Sequence, residues 1–202
     1  AARAAWWAVT MDPYLWGAVL PRADALVISV GGMDQLPAAV PTYLRDGIPY
    51  VRPAALRRRV RDGYRIMSPP IISLTRGWLR QLPQNATDHY LGRITQVVRH
   101  FNPDIPVVLV APGVHRSPAY PSDRHHEPAL LAARRWADKH QTGYLEIDDL
   151  VLPSLLDGTA NPDGIHYSWR THELIGHGVA EELRVVGFTA KRATPQRQKA
   201  TR

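Results

Sequence analysis

Ala25-Leu26-Val27-Ile28-Ser29-Val30-Gly31-Gly32-Met33-Asp34 is the stretch that decides the fold. An uncharged apolar run that does not alternate with polar residues predicts a strand covered on both faces, and the two glycines after it predict a loop at its carboxyl end. Two more short, largely apolar runs read as strands: Val107-Val108-Leu109-Val110 and, broken by one acid, Tyr144-Leu145-Glu146-Ile147. Helical periodicity lies between and after them, over residues 86–101, 127–140 and 169–184, with Gly187 as a stop signal. Strands alternating with helices predict an α/β fold, a three-layer α/β/α arrangement around a parallel, doubly wound sheet. Such a sheet takes its ligand outside the carboxyl ends of its strands, so the loop Gly31, Gly32, Met33, Asp34 stands at the expected site.

Working outward, 202 residues with 45% apolar content suffice for one core, and a single domain is expected over residues 1–188. No run is long and apolar enough for a membrane span, and no basic segment followed by an apolar core opens the chain. With no cysteine there is neither a disulfide framework nor a thiolate nucleophile. These features lead us to expect a cytoplasmic protein. The net charge of +7 is concentrated at one end: Lys191, Arg192, Arg197, Lys199 and Arg202 supply five charges with no acid among them. Residues 189–202 therefore read as a basic, disordered tail, and the excess charge does not argue for a nucleic-acid surface.

Residues 35–85 break the alternation with Pro37, Pro41, Pro49, Pro53, Pro69, Pro70 and Pro83. The stretch is too long for a strand-to-helix connection and is expected to form a helical cap insertion. It carries Arg52, Arg57, Arg58, Arg59 and Arg61, with Leu56 and Val60 at helical spacing. Two readings stand: the solvated face of a helix, or a site where guanidinium forks meet phosphate or carboxylate. The opening AARAAWWAVT reads as a helix carrying Trp6 and Trp7. Three strands make a narrow sheet of this kind, so a further part of the domain is expected ahead of residue 1.

The segment Asn161-Pro162-Asp163-Gly164-Ile165-His166 sets a carboxylate three residues before an imidazole, just ahead of the last helix. Hydroxyl-based acyl transfer needs an imidazole to take the proton and a carboxylate to hold its other nitrogen in the right tautomer. The competing reading is a capped helix start in which the histidine merely packs. His115, in the loop after the second apolar run, falls at the same sheet edge. His125 and His126 have metal-capable side chains, but neighbours in sequence point apart and no third ligand is suitably spaced, so no metal is expected. Asp34 fits either a loop-bonding or a substrate role, and Trp6, Trp7 and Trp16 fit the core better than a pocket.

Taken together, the GGMD loop and the later Asp-x-x-His resemble the third and fifth sequence blocks of the SGNH (GDSL) hydrolase superfamily, over roughly residues 20–185. The resemblance implies a flavodoxin-like sheet, Asp163 and His166 as catalytic residues, and Gly31, Gly32, Met33 and Asp34 as the oxyanion and substrate loop. It puts the Gly-Asp-Ser nucleophile block ahead of residue 1 and leaves Met33, which cannot donate a hydrogen bond, where most members have asparagine. Trp6-Trp7, GGMDQLPAAVPTYLR, YVRPAALRRRVRDGY and NPDGIH more closely resemble the diglucosylglycerate octanoyltransferases of methylglucose lipopolysaccharide biosynthesis. That likeness implies transfer of octanoyl from acyl-CoA, a co-substrate rather than a cofactor, to a sugar hydroxyl through an acyl-serine. Arg52, Arg57 and Arg58 would then meet CoA phosphates or the glycerate carboxylate, while His115, from its place at the sheet edge alone, stays open between a satisfied histidine and a substrate contact. The residues themselves leave an SGNH esterase, or an inactive binding domain, as alternatives.

Overall fold

The computed structural model describes residues 1–188, so the basic tail expected at 189–202 lies outside the described residues. Its centre is a parallel sheet of three strands in the order β1 (Leu26–Ile28), β2 (Val107–Val110), β3 (Gly143–Leu145). Val27 pairs with Val108 across the first interface and Leu109 with Tyr144 across the second. All four residues of β2 are buried, as an uninterrupted apolar run requires when helices cover both faces. Val107 and Leu109 join Ile28, Leu91, Val98 and Trp136 in one cluster, while Val110 joins Val114, Ile147 and Val151 in another.

The first cluster is closed by α1 (Ala2–Met11), α4 (Gln84–Phe101) and α5 (His126–His140). In α4 the buried residues Thr87, Leu91, Ile94, Thr95 and Val98 fall on one face at helical spacing. Trp6 packs on Tyr90 and Trp16 on Phe101, both half-buried against the edge of this cluster, whereas Trp7, expected in the core with them, is exposed. The second cluster is closed by α6 (Asp148–Leu156) and α7 (Trp169–Val185), through Leu150, Ile175 and Val179. Glycine lets α7 lie close to β3: a Cβ on Gly178 would stand 3.0 Å from both methyls of Leu145.

Three elements depart from the expectation. β3 ends at Leu145 because β2 ends at its partner Val110, and Ile147 turns into the start of α6 with its side chain buried. Helix α6 has little sidedness and contains Pro153, so its sequence carries no helical period. β1 is likewise shorter than the run Ala25–Val30, with Val30 already in the loop.

Residues 37–80 make a helical excursion whose two ends are tied together. The Ala38 amide donates to Leu79 O at 2.8 Å, Gln81 to Leu36 O at 2.9 Å, and Leu82 to Asp34 O at 3.1 Å. Beyond this neck come α2 (Thr42–Gly47) and the long α3 (Ala54–Leu74), which buries only Ser68 and Ile72. Among the described residues no helix is long and apolar enough to cross a membrane.

Candidate active site

The three strands deliver their carboxyl ends to one cavity of about 310 Å³, whose lining includes Gly31, Gly32 and Met33 after β1, Val114 and His115 after β2, and His166. Gly31 holds φ +110, a conformation that favours glycine, so the chain turns immediately, and a Cβ on Gly32 would stand 4.0 Å from the Pro112 Cα. Met33 is partly exposed at the rim. Asp34 turns the other way. Its buried carboxylate accepts the Ala2 amide at 2.8 Å, anchoring the loop to the start of α1.

The Asp163–His166 pair is built by a turn. The Gly164 amide donates to Asn161 O at 3.0 Å, and Gly164 holds φ +67. Asp163 Oδ1 accepts the amides of Ile165 at 2.9 Å and His166 at 3.0 Å, while Oδ2 accepts Nδ1–H of the His166 ring at 2.5 Å. These contacts, the His166 amide first and then its ring, bring the Asp163 carboxyl down to about 2. The carboxylate therefore fixes the tautomer that protonates Nδ1, and among the described residues nothing bonds Nε2. The His166 ring is 73% exposed, so its free nitrogen is accessible from the cavity mouth.

Neighbouring residues hold this pair on the sheet. The Arg116 amide donates to Gly164 O at 2.8 Å, joining the turn to the loop after β2. Ser168 caps α7 by accepting the Thr171 amide at 3.2 Å, and Thr171 donates to Ser154 of α6 at 3.1 Å. Tyr167 covers Gly113 so closely that a Cβ there would stand 2.2 Å from its Oη, and burial pushes the phenol up to about 12. His115 lines the same cavity at 7% exposure. Burial, and then the neighbouring His126 charge, lower its proton affinity.

The structure thus brings Gly31, Gly32, Met33, His115 and His166 to one wall and hangs Asp163 behind His166. It keeps the cap arginines apart. Arg52 and Arg57 donate to Pro49 O at 3.3 and 3.4 Å, and Arg58 is an exposed residue of α3; none of the three lines the cavity. Among the described residues no cluster of three metal-capable side chains forms. Two lining residues, Tyr167 and His172, went unmarked in the sequence, although both follow the Asp-x-x-His turn within six residues of His166.

The chain is 37% identical to a diglucosylglycerate octanoyltransferase of Mycolicibacterium hassiacum over 190 residues, 94% of this chain and 78% of that protein. It is also 37% identical to the diglucosylglycerate octanoyltransferase of Mycobacterium tuberculosis over 186 residues, 92% of this chain and 74% of that one. The chain belongs to the diglucosylglycerate octanoyltransferase family. It is therefore a transferase, in a family named for moving an octanoyl group. No protein-family model and no solved structure matches the chain.

Proposed function

We propose that this octanoyltransferase-family chain moves octanoyl from acyl-CoA to a sugar hydroxyl of diglucosylglycerate, in the cavity at the carboxyl ends of its strands. The observation that carries the proposal is the Asp163–His166 couple, with Nε2 open to a cavity that the Gly31-Gly32-Met33 loop also lines. His166 Nε2 takes the proton of a serine hydroxyl, and the serine oxygen bonds to the thioester carbonyl carbon. The C–S bond breaks, and the thiolate of CoA leaves with that proton. The sugar hydroxyl then gives its proton to Nε2, its oxygen bonds to the acyl carbon, and the serine leaves and regains a proton. Backbone amides of the glycine loop are the donors suited to the developing oxyanion, since the Met33 side chain has none to offer.

The serine belongs to the SGNH reading of the fold and lies, in that reading, ahead of residue 1. The excursion of residues 37–80 serves as a cap, and its arginines meet the phosphates of CoA, which lie far from the reacting sulfur. Their position outside the cavity is compatible with that role. The setting is cytoplasmic, where CoA thioesters are made.

The test is transfer by the native-length protein from octanoyl-CoA to diglucosylglycerate, with ester and free octanoate measured separately. Ester formation that disappears in His166→Ala supports the proposal. Ester formation that persists in His166→Ala removes His166 from the chemistry, and free octanoate without ester makes the protein a hydrolase.

A further inference from the structure

One layer beneath the cavity, His126 at the start of α5 sits between two acceptors. Its Nε2 lies 2.6 Å from Asp148 Oδ2 and its Nδ1 3.0 Å from Gln35 Oε1. The orientation of the Gln35 amide is set by a third partner: its Nε2 donates to Gly113 O at 2.9 Å, which leaves only the oxygen for the ring. Asp148 is held as an acceptor too. Its Oδ1 takes the Val114 amide at 2.8 Å, and it opens α6, where helix amides favour a carboxylate. A neutral imidazole has one N–H and would turn a lone pair toward one of these oxygens; an imidazolium has an N–H for each.

We infer that His126 is an imidazolium and that this cation is a positioning element of the transfer site. It joins the loop after β1 through Gln35 and the loop after β3 through Asp148, and each of those partners is bonded to the loop after β2. The same three loops place Gly32 and Met33, Val114 and His115, and Ile147 in the cavity wall. Its charge is balanced locally. Asp148 supplies the anion, and two titratable neighbours resist ionising: burial disfavours the charged form of His115 beside His126 and of Tyr167 beside Asp148. The His126 side chain is 13% exposed, so loss of one bond would leave an acceptor with little access to water.

The functional half of this inference rests on the cavity being the site of transfer; the protonation half does not. The test is nitrogen NMR of the native-length protein with 15N-labelled histidine rings at pH 7, the His126 signals being assigned by their loss in His126→Gln. Both ring nitrogens of His126 should carry hydrogen, and Asp148→Asn should remove one of them. The kinetic arm is a double-mutant cycle on transfer: His126→Gln and Asp148→Asn each lower kcat by about a hundredfold, and the double variant loses no more than the worse single. A singly protonated ring in the unsubstituted protein overturns the inference, as does unchanged kcat in both single variants. If His126→Gln fails to fold, Asp148→Asn carries both readouts. Unimpaired transfer by His166→Ala would overturn the site assignment while leaving the NMR result to judge the imidazolium.

Discussion

Gly164 faces the backbone of Arg116 so closely that a Cβ would stand 2.5 Å from Arg116 O, while its own carbonyl accepts the Arg116 amide at 2.8 Å. The turn that carries Asp163 and His166 is therefore fastened to the loop after β2 by a contact that glycine alone permits. Gly164→Ala meets rigid backbone and also puts a side chain at φ +67. The positive φ alone costs about 1–3 kcal/mol, and relieving the clash means lifting the turn off Arg116. The expected outcome is a lower melting temperature together with loss of transfer; wild-type kcat would mean that the turn can separate from Arg116 without moving His166.

Asp163→Asn separates orientation from stability. The pair is largely exposed, with side-chain exposures of 47% and 73%, so its contribution to folding is small. An amide, however, can present its oxygen to Nδ1–H only by giving up charge, and it no longer stabilises the imidazolium formed in the reaction. Transfer should fall by about a thousandfold or more while the melting temperature hardly moves. Kinetics and calorimetry on the same preparation check both halves.

The acid limb of transfer should belong to a single proton. The Asp163 carboxyl is held at about 2, chiefly by the His166 amide, then its ring, then the Ile165 amide. A depressed carboxyl contributes above its unfolded value, and that contribution fades only as pH falls toward about 2. Between pH 5 and pH 8 Asp163 thus stays ionised and adds no proton of its own to the limb. A profile of kcat/KM that falls with a slope of two protons in that range would contradict the assignment.

The strands were legible because burial on both faces writes an uninterrupted apolar run, seen most fully in Val107–Val110. The helices α4, α5 and α7 were legible because each has a one-sided period, and their ends fall within about two residues of the expected ones. Helix α6 was not, since Pro153 and apolar residues on several sides erase the period. The Asp163–His166 pair could be read because both partners lie in one turn. Gln35, His126 and Asp148 could not be joined from sequence: they are up to 113 positions apart, and only the ends of parallel strands and α5 bring them together. His126 drew notice only as a neighbour of His125, and the two rings do point apart, His125 Nε2 donating to Gly77 O at 2.7 Å.

His115 predicts how stability responds to acid. Burial first, then the His126 charge, lower its proton affinity in the folded chain, so the unfolded chain binds more protons below the ordinary histidine range. Stability should therefore decline as pH drops from about 7 toward 5. His125 and His140 are lowered in the same direction, each mainly by burial, and share that slope. Denaturant titrations at several pH values should show a shallower decline in His115→Gln; an unchanged slope would mean that the His115 ring is hydrated in solution.

The cap arginines give a prediction that depends on where they lie. Arg52 reaches the Pro49 and Val51 carbonyls, Arg57 reaches the Pro49 carbonyl, Arg58 faces solvent, and none lines the cavity. If they meet the phosphates of CoA they do so through exposed charge, which salt screens over about 10 Å at 0.1 M. Replacing all three by alanine should raise KM for octanoyl-CoA and weaken its dependence on ionic strength, with kcat nearly unchanged because the reacting groups are untouched. A rise confined to the KM for diglucosylglycerate would move them to the glycerate carboxylate. No change in either KM would leave all three as solvated charges, on and just ahead of α3, whose apolar residues Leu56, Val60, Met67 and Leu74 are themselves exposed.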